Sequence, residues 1–208
     1  MNIVAISDTH GKHNQLSLPE GDVLIHAGDV SSRGSEYEIR IFLDWFASLD
    51  FKYKIFIAGN HDFFLERASN KLIDNILPHE VIYLNDSGVE IEDLHIWGSP
   101  VTPWFYDWAF NRERGQEIKK HWDLIPDATD ILITHGPAYG ILDLTIHNIH
   151  VGCEELKDKI ESIKPKVHIF GHIHEAYGTY ANSNIRYINA SVLNVRYQMV
   201  NEPLSFNL

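Results

Sequence analysis

Asn2-Ile3-Val4-Ala5-Ile6-Ser7-Asp8-Thr9-His10 is a short apolar run that ends in a carboxylate and an imidazole two positions apart. A run this short and this uniformly apolar is the pattern of a strand buried on both faces, as in a parallel sheet. The same order recurs along the chain. Val23-Leu24-Ile25-His26-Ala27 leads into Gly28-Asp29, residues 53–58 into Gly59-Asn60-His61-Asp62, residues 131–134 into His135-Gly136, and residues 167–170 into Gly171-His172-Ile173-His174. Parallel strands deliver their C-terminal ends to one edge of a sheet, where ligands bind. The repeat therefore predicts five turns converging on one site.

Working outward, residues 36–49 carry Ile39, Phe42, Leu43 and Phe46 at helical spacing and predict an amphipathic helix. A second helix is expected over 64–76, ended by Pro78, a third over 112–122, and a fourth over 154–163, stopped by Pro165. Residues 81–84, 89–91 and 94–97 alternate with turn signals and predict consecutive strands; 177–181 and 185–189 predict a hairpin around Asn182-Ser183-Asn184. Residues 98–110 and 135–152 read as irregular loops, rich in Pro and aromatics and in Gly respectively. The fold class is α/β, with two sheets face to face and helices outside. No internal repeat or low-complexity linker divides the 208 residues, so one domain over 1–208 is expected.

The formal net charge of −12 repels polyanions and excludes duplex nucleic acid as the natural partner. It does not exclude a small phosphate ester at a local cationic centre. Cys153 is the single cysteine, which forbids an internal disulfide and suits a reducing compartment. With no basic and apolar leader and no apolar stretch of spanning length, the sequence predicts a cytoplasmic protein without a membrane partner. A dimer through the β-rich second half is open, but no residue compels it.

Asp8 and His10, two apart in extended chain, point to the same side and can reach one ion. The Asp29 carboxylate has two oxygens and is the natural bridge between two ions. Asn60 offers a neutral carbonyl oxygen, and His135, His172 and His174 offer imidazole nitrogens. Mixed nitrogen and oxygen donors without thiolate favour manganese, iron, zinc, cobalt or nickel over magnesium or calcium. Each short motif alone is an ordinary turn; their ordered co-occurrence carries the inference. His26 and His168, inside strands, read as structural. His13, His79, His95 and His121 read as surface or packing residues, and His147 and His150 stand in a loop that could touch substrate.

The five elements, D-x-H, G-D, G-N-H-D, the post-strand histidine and G-H-x-H, resemble the pattern of the calcineurin-like metallophosphoesterase superfamily over nearly the whole chain. The resemblance implies a four-layer αββα sandwich of two mixed sheets and a dinuclear centre. It assigns Asp8, His10, Asp29 and His174 to one ion, and Asp29, Asn60, His135 and His172 to the other. More narrowly, Gly98-Ser99-Pro100-Val101-Thr102-Pro103-Trp104, Thr134-His135-Gly136-Pro137 and Gly171-His172-Ile173-His174-Glu175 resemble a small phosphodiesterase branch. That branch is related to class III cyclic-nucleotide phosphodiesterases and the brain metallophosphodiesterases. The protein phosphatases carry a second Asp in G-D-x-x-D-R-G, where Ser32 stands here, so phosphatase activity on proteins is not carried over.

The implied function is hydrolysis of small phosphodiesters, cyclic nucleotides among them, by a metal-activated hydroxide. His61 would be the general acid, hydrogen-bonded and oriented by Asp62. Arg33 is a candidate for phosphate. Trp104 and Phe105, within five aromatics over 104–110, would form a stacking wall for a nucleobase, with hydrogen bonds from Asn111 and Tyr139. The alternatives are a phosphomonoesterase, a single-strand nuclease or, remotely, a non-catalytic interaction scaffold.

Overall fold

The two faces of each apolar run go to two different cores in the computed structural model, which describes residues 1–208. Strands β1 (Asn2–Ile6), β2 (Val23–Ala27), β3 (Tyr53–Ile57) and β4 (Val81–Leu84) are parallel neighbours, and β13 (Leu204–Asn207) lies antiparallel to β1. A second sheet has the order β11-β12-β10-β9-β6-β5, formed by β5 (Ser87–Ile91), β6 (Leu94–Ser99), β9 (Ile131–Thr134), β10 (Val167–Phe170), β11 (Gly178–Ala181) and β12 (Arg186–Asn189). Strands β6, β9, β10 and β12 are parallel; β5 and β11 close the edges antiparallel.

Ile3, Ala5, Ile25 and Ile57 of the first sheet meet Ile96, Ile133, Ile169 and Ile188 of the second in one aliphatic layer. The alternate residues Val4, Ile6, Leu24 and Phe56 face the other way, onto Ile39, Phe42, Leu43 and Phe46 of helix α1 (Glu36–Ser48). On the far side, Leu132, Phe170 and Tyr187 pack on Ile118 and Trp122 of α4 (Gln116–Trp122) and on Leu156 and Ile160 of α5 (Glu154–Ile163). The period of two along each strand thus builds the αββα order expected from the sequence. Ser35 starts α1 with a capping box, its hydroxyl accepting from Glu38 N while the Glu38 carboxylate accepts from Ser35 N.

Four details differ from the sequence expectation. The helix expected over 64–76 is two helices, α2 (Phe63–Arg67) and α3 (Asn70–Ile76): Ser69 Oγ accepts from Leu72 N at 3.3 Å and begins a new helix. The helix expected from 112 starts four residues later because Gly115, at φ +81°, turns the chain left-handed. Residues ahead of it pair instead, β7 (Thr102–Pro103) with β8 (Asn111–Arg112), and bracket the aromatic loop. Strand β13 has only four residues, Leu204-Ser205-Phe206-Asn207, an alternation too short to give a signal of its own. None of the helices is long and apolar enough to cross a membrane.

Candidate active site

All five turns lie beyond C-terminal strand ends: three after β1, β2 and β3 of one sheet, two after β9 and β10 of the other. Backbone bonds knit neighbouring turns together. Asp8 N donates to Gly28 O at 2.9 Å, His10 N to Asp29 O at 3.0 Å, and Gly171 N to His135 O at 3.0 Å. His172 N donates to both Asp8 carboxylate oxygens, at 3.1 and 3.0 Å, and so links the two sheets. Side chains at Gly59 and Gly171 would collide with Asp29 Oδ1 and with Asp8 Oδ2, so glycine is required for the turns to approach this closely.

Four site residues carry left-handed backbone: Asp8 at φ 57°, His10 at 43°, Asp29 at 56° and His172 at 69°. Such positions cost on the order of 1–3 kcal/mol each and persist where the surroundings over-determine them. Here the surroundings are the two buried sheets.

The side chains converge. His10 Nε2 and His135 Nε2 lie 3.5 and 3.4 Å from the same oxygen, Asp29 Oδ2. His174 Nε2 is 3.5 Å from Asp8 Oδ1, and His135 Nε2 is 2.9 Å from Asn60 Oδ1. Three groups each bring their ligand atoms within 4.8 Å of one another: Asp8-His10-His174, His10-Asp29-His61 and Asp8-Asp29-His135. His172 stands outside those groups, its ring 5.1 Å from that of His135, and faces the same cavity.

The tautomers are set from behind. His135 Nδ1 donates to Ala27 O at 2.9 Å and His174 Nδ1 to Asn194 O at 3.1 Å, which aims each Nε2 into the cluster. Ser191 Oγ donates to Asp8 Oδ2 at 2.7 Å. Both ring nitrogens of His10 are buried without a hydrogen-bond partner. A buried imidazole aimed at two carboxylates, with nothing to satisfy it, fits a cation site.

Electrostatics agree. Burial opposes charge on His135 and His174, but Asp29 and Asp8 outweigh it and push both up to about 9. Burial likewise opposes ionisation of Asp8 and Asp29, and the facing imidazoles hold both carboxyls well below the usual range. Burial pushes His10 down to about 4 and His172 to about 3. Protons on two histidines thus balance two buried carboxylates, a part that divalent ions can take. The residues fit divalent metal.

The cavity over these groups has a volume of about 260 Å³. His61 is on its wall: its backbone N donates to Asp29 Oδ1 at 2.8 Å and its Nδ1 to Ser32 O at 3.0 Å. The expected bond from Asp62 to His61 does not exist. The Asp62 carboxylate turns inward and accepts from Gly59 N at 2.8 Å, Ser31 N at 2.9 Å, Ser31 Oγ at 2.6 Å and Val30 N at 3.2 Å. It clamps the Asp29 and Asn60 turns to each other, because unpaired backbone amides lie closer to it than the ring does. Burial and the Asp29 charge push its carboxyl up to about 6.

Among the expected substrate residues, only Phe105 lines this cavity, its ring 5.1 Å from that of His172. Trp104 is half exposed and lines an adjoining chamber of about 310 Å³ that shares Phe105 and His172 with the first. Arg33 is exposed, and Tyr139 lies against His150 with 5.6 Å between rings; neither lines either space. Asn111 instead holds the aromatic loop, donating to Phe105 O and Tyr106 O. Of the strand histidines, His26 bonds Thr9 Oγ1 and His168 bonds Thr134 Oγ1, both as structural groups.

Four residues that the sequence did not single out complete the cavity. Trp108 covers His61 with rings 4.3 Å apart, Tyr197 packs on His10 and His174, and Val195 and Glu175 stand at the mouth. Trp108 was readable only as one more aromatic of 104–110. Tyr197 and Val195 lie beyond the last hairpin, where no motif directs attention.

A sandwich of two mixed sheets with an Asp/His/Asn cluster on one edge defines the metallophosphoesterase class of α/β folds. Phosphopantetheinyl hydrolase from Mycobacterium tuberculosis shares that fold, with a TM-score of 0.65 at 17% identity over 94% of this chain and 90% of that one. A family model described as calcineurin-like phosphoesterase matches residues 1–176, and the chain belongs to that family. A Homo sapiens protein named metallophosphoesterase domain-containing protein 1 is 43% identical over 99% of this chain and 70% of its own length. A probable glycerophosphodiester phosphodiesterase, GpdQ, of Arcobacter nitrofigilis is 24% identical over 89% of this chain and 76% of its own length.

Proposed function

We propose that the chain is one catalytic unit, a metal-dependent phosphodiesterase of small substrates, with nucleotide diesters and cyclic nucleotides the first to try. One observation carries this choice within the family. The cavity that gathers His10, Asp29, Asn60, His172 and His174 is lined by no Lys or Arg. A phosphodiester carries one negative charge and a monoester close to two near neutral pH. The second charge would find no lysine or arginine in this cavity. The relative named as a glycerophosphodiester phosphodiesterase supports the same choice.

Asp8, His10, Asp29 and His174 would hold one ion, and Asp29, Asn60, His135 and His172 the other, with manganese the best match to the donors and iron, zinc, cobalt and nickel admissible. Bound there, two divalent ions polarise phosphate oxygens and acidify an attacking water. The chain supplies the rest. With Nδ1 tied to Ser32 O, His61 presents Nε2 to the leaving oxygen and gives it a proton. Trp108 covers the ring and limits its swing, and Asp62 keeps the Asn60 turn against the Asp29 turn. Trp104 and Phe105 form the wall of the adjoining chamber, a surface for a planar arm of the ester. The buried, unpaired Cys153 suits the cytoplasm.

The test is a panel of diesters, cyclic nucleotides and monoesters after chelation and manganese add-back, run beside His61→Ala. Diesters should lead the panel. The variant should lose roughly 10²–10⁴ in kcat on esters with poor leaving groups, less on p-nitrophenyl esters, with metal content unchanged. Full activity of His61→Ala on a poor leaving group removes the acid role. Preference for monoesters removes the diesterase.

A further inference from the structure

Glu175 follows the ligand His174 in a short turn, His174–Ala176, and its exposed side chain lines the mouth of the metal cavity. It is held there: Glu175 Oε1 accepts from Ile146 N at 2.8 Å. That amide belongs to a small hairpin closed by Thr145 N donating to Ile149 O at 3.0 Å and by a bridge between Leu144 and His150. The hydrogen bond keeps the carboxylate at the rim, where it would otherwise swing into solvent, and occupies only one of its oxygens. No lysine or arginine pairs with it, and the cavity lining offers none. A negative charge thus stands at the rim of the cavity, beside the candidate ligand His174.

We propose that Glu175 is a specificity determinant acting by charge: it tolerates the monoanionic diester and repels the dianionic monoester. The same repulsion speeds departure of the product, since cleavage of a diester turns a monoanion into a monoester dianion. The inference rests on the diesterase proposal for its biological sense, but it is measured by binding, without turnover. Residues bearing the ions are untouched by the variants.

Manganese-loaded protein is titrated calorimetrically with phenylphosphonate, a non-hydrolysable dianion at mildly alkaline pH, and with methylphenylphosphinate, a non-hydrolysable monoanion of similar shape whose substituents are both held by P–C bonds. Glu175→Gln keeps an amide oxygen for Ile146 N and removes only the charge. Across a solvated mouth, one removed charge should tighten phenylphosphonate about two- to five-fold and leave the phosphinate nearly unchanged. The gap should shrink in about 0.5 M salt, where the screening length falls to a few ångströms. Equal changes for both ligands, or none, overturn the proposal. So does an effect seen only in Glu175→Ala, which would make Glu175 a hairpin anchor and nothing more. Should the diester panel fail while Glu175→Gln still tightens the dianion alone, the proposed function falls and the charge filter stands.

Discussion

Ser191 lies outside every motif of the sequence, yet its hydroxyl donates to Asp8 Oδ2 at 2.7 Å. Groups that orient a ligand from behind are worth about 10–100-fold in metal affinity. Ser191→Ala should weaken metal binding by that factor, read by chelator competition, while leaving the melting temperature of the metal-free protein within a degree or two. A large loss of metal-free stability would instead mark Ser191 as a packing residue. Asp62 teaches the complementary lesson. Its identity was legible beside Asn60 and His61, but its partner was not. Adjacency in the chain pointed to the ring of His61, while the fold brought amides from Gly59, Val30 and Ser31 closer. Chemistry-bearing residue types can be read from sequence; which neighbour a side chain meets depends on how the turns cross.

The five strands that carry the site were legible because each is a short apolar run ending in a turn, and the seven candidate ligands were legible because they occupy those turns. The loops were not. Trp108 reaches His61 only because Ala109 N donates to Asn60 O at 3.1 Å and Phe110 N to Glu66 Oε1 at 2.8 Å, contacts between distant segments. Strand β10 carries a quieter consequence. Burial in that strand holds His168 down to about 3, against an ordinary value of 6.5. The folded state refuses a proton that the unfolded chain accepts, so stability is full above pH 6.5 and falls as pH drops from there toward 3. Each such histidine contributes up to ~1.4 kcal/mol of loss per pH unit in that window. His168→Gln keeps a donor for Thr134 Oγ1, and its unfolding free energy should show a shallower slope between pH 6 and pH 4. Denaturant melts at several pH values check this, and an unchanged slope would mean that His168 is protonated when folded.

Seen whole, the molecule is two sheets whose shared layer is almost entirely aliphatic, with Ile, Val, Ala and Leu on both sides. Two directional bonds join the sheets at the site: His135 Nδ1 to Ala27 O, and His172 N to Asp8. Ions held by ligands from both sheets should therefore tie the halves together. Manganese at about 100 times its dissociation constant adds ~2.7 kcal/mol. For a chain of this size that corresponds to roughly 5–10 °C in melting temperature. Scanning calorimetry should show the rise in the native protein and not in Asp29→Asn; a rise of equal size in both would place the stabilising ion elsewhere. The four left-handed residues Asp8, His10, Asp29 and His172 add a historical consequence. Glycine would relax each of them, so only the need for a donor atom keeps larger residues there. In any descendant that abandoned its chemistry, drift toward glycine or asparagine should begin at these four places, and such a pattern would expose a pseudoenzyme before any assay was run.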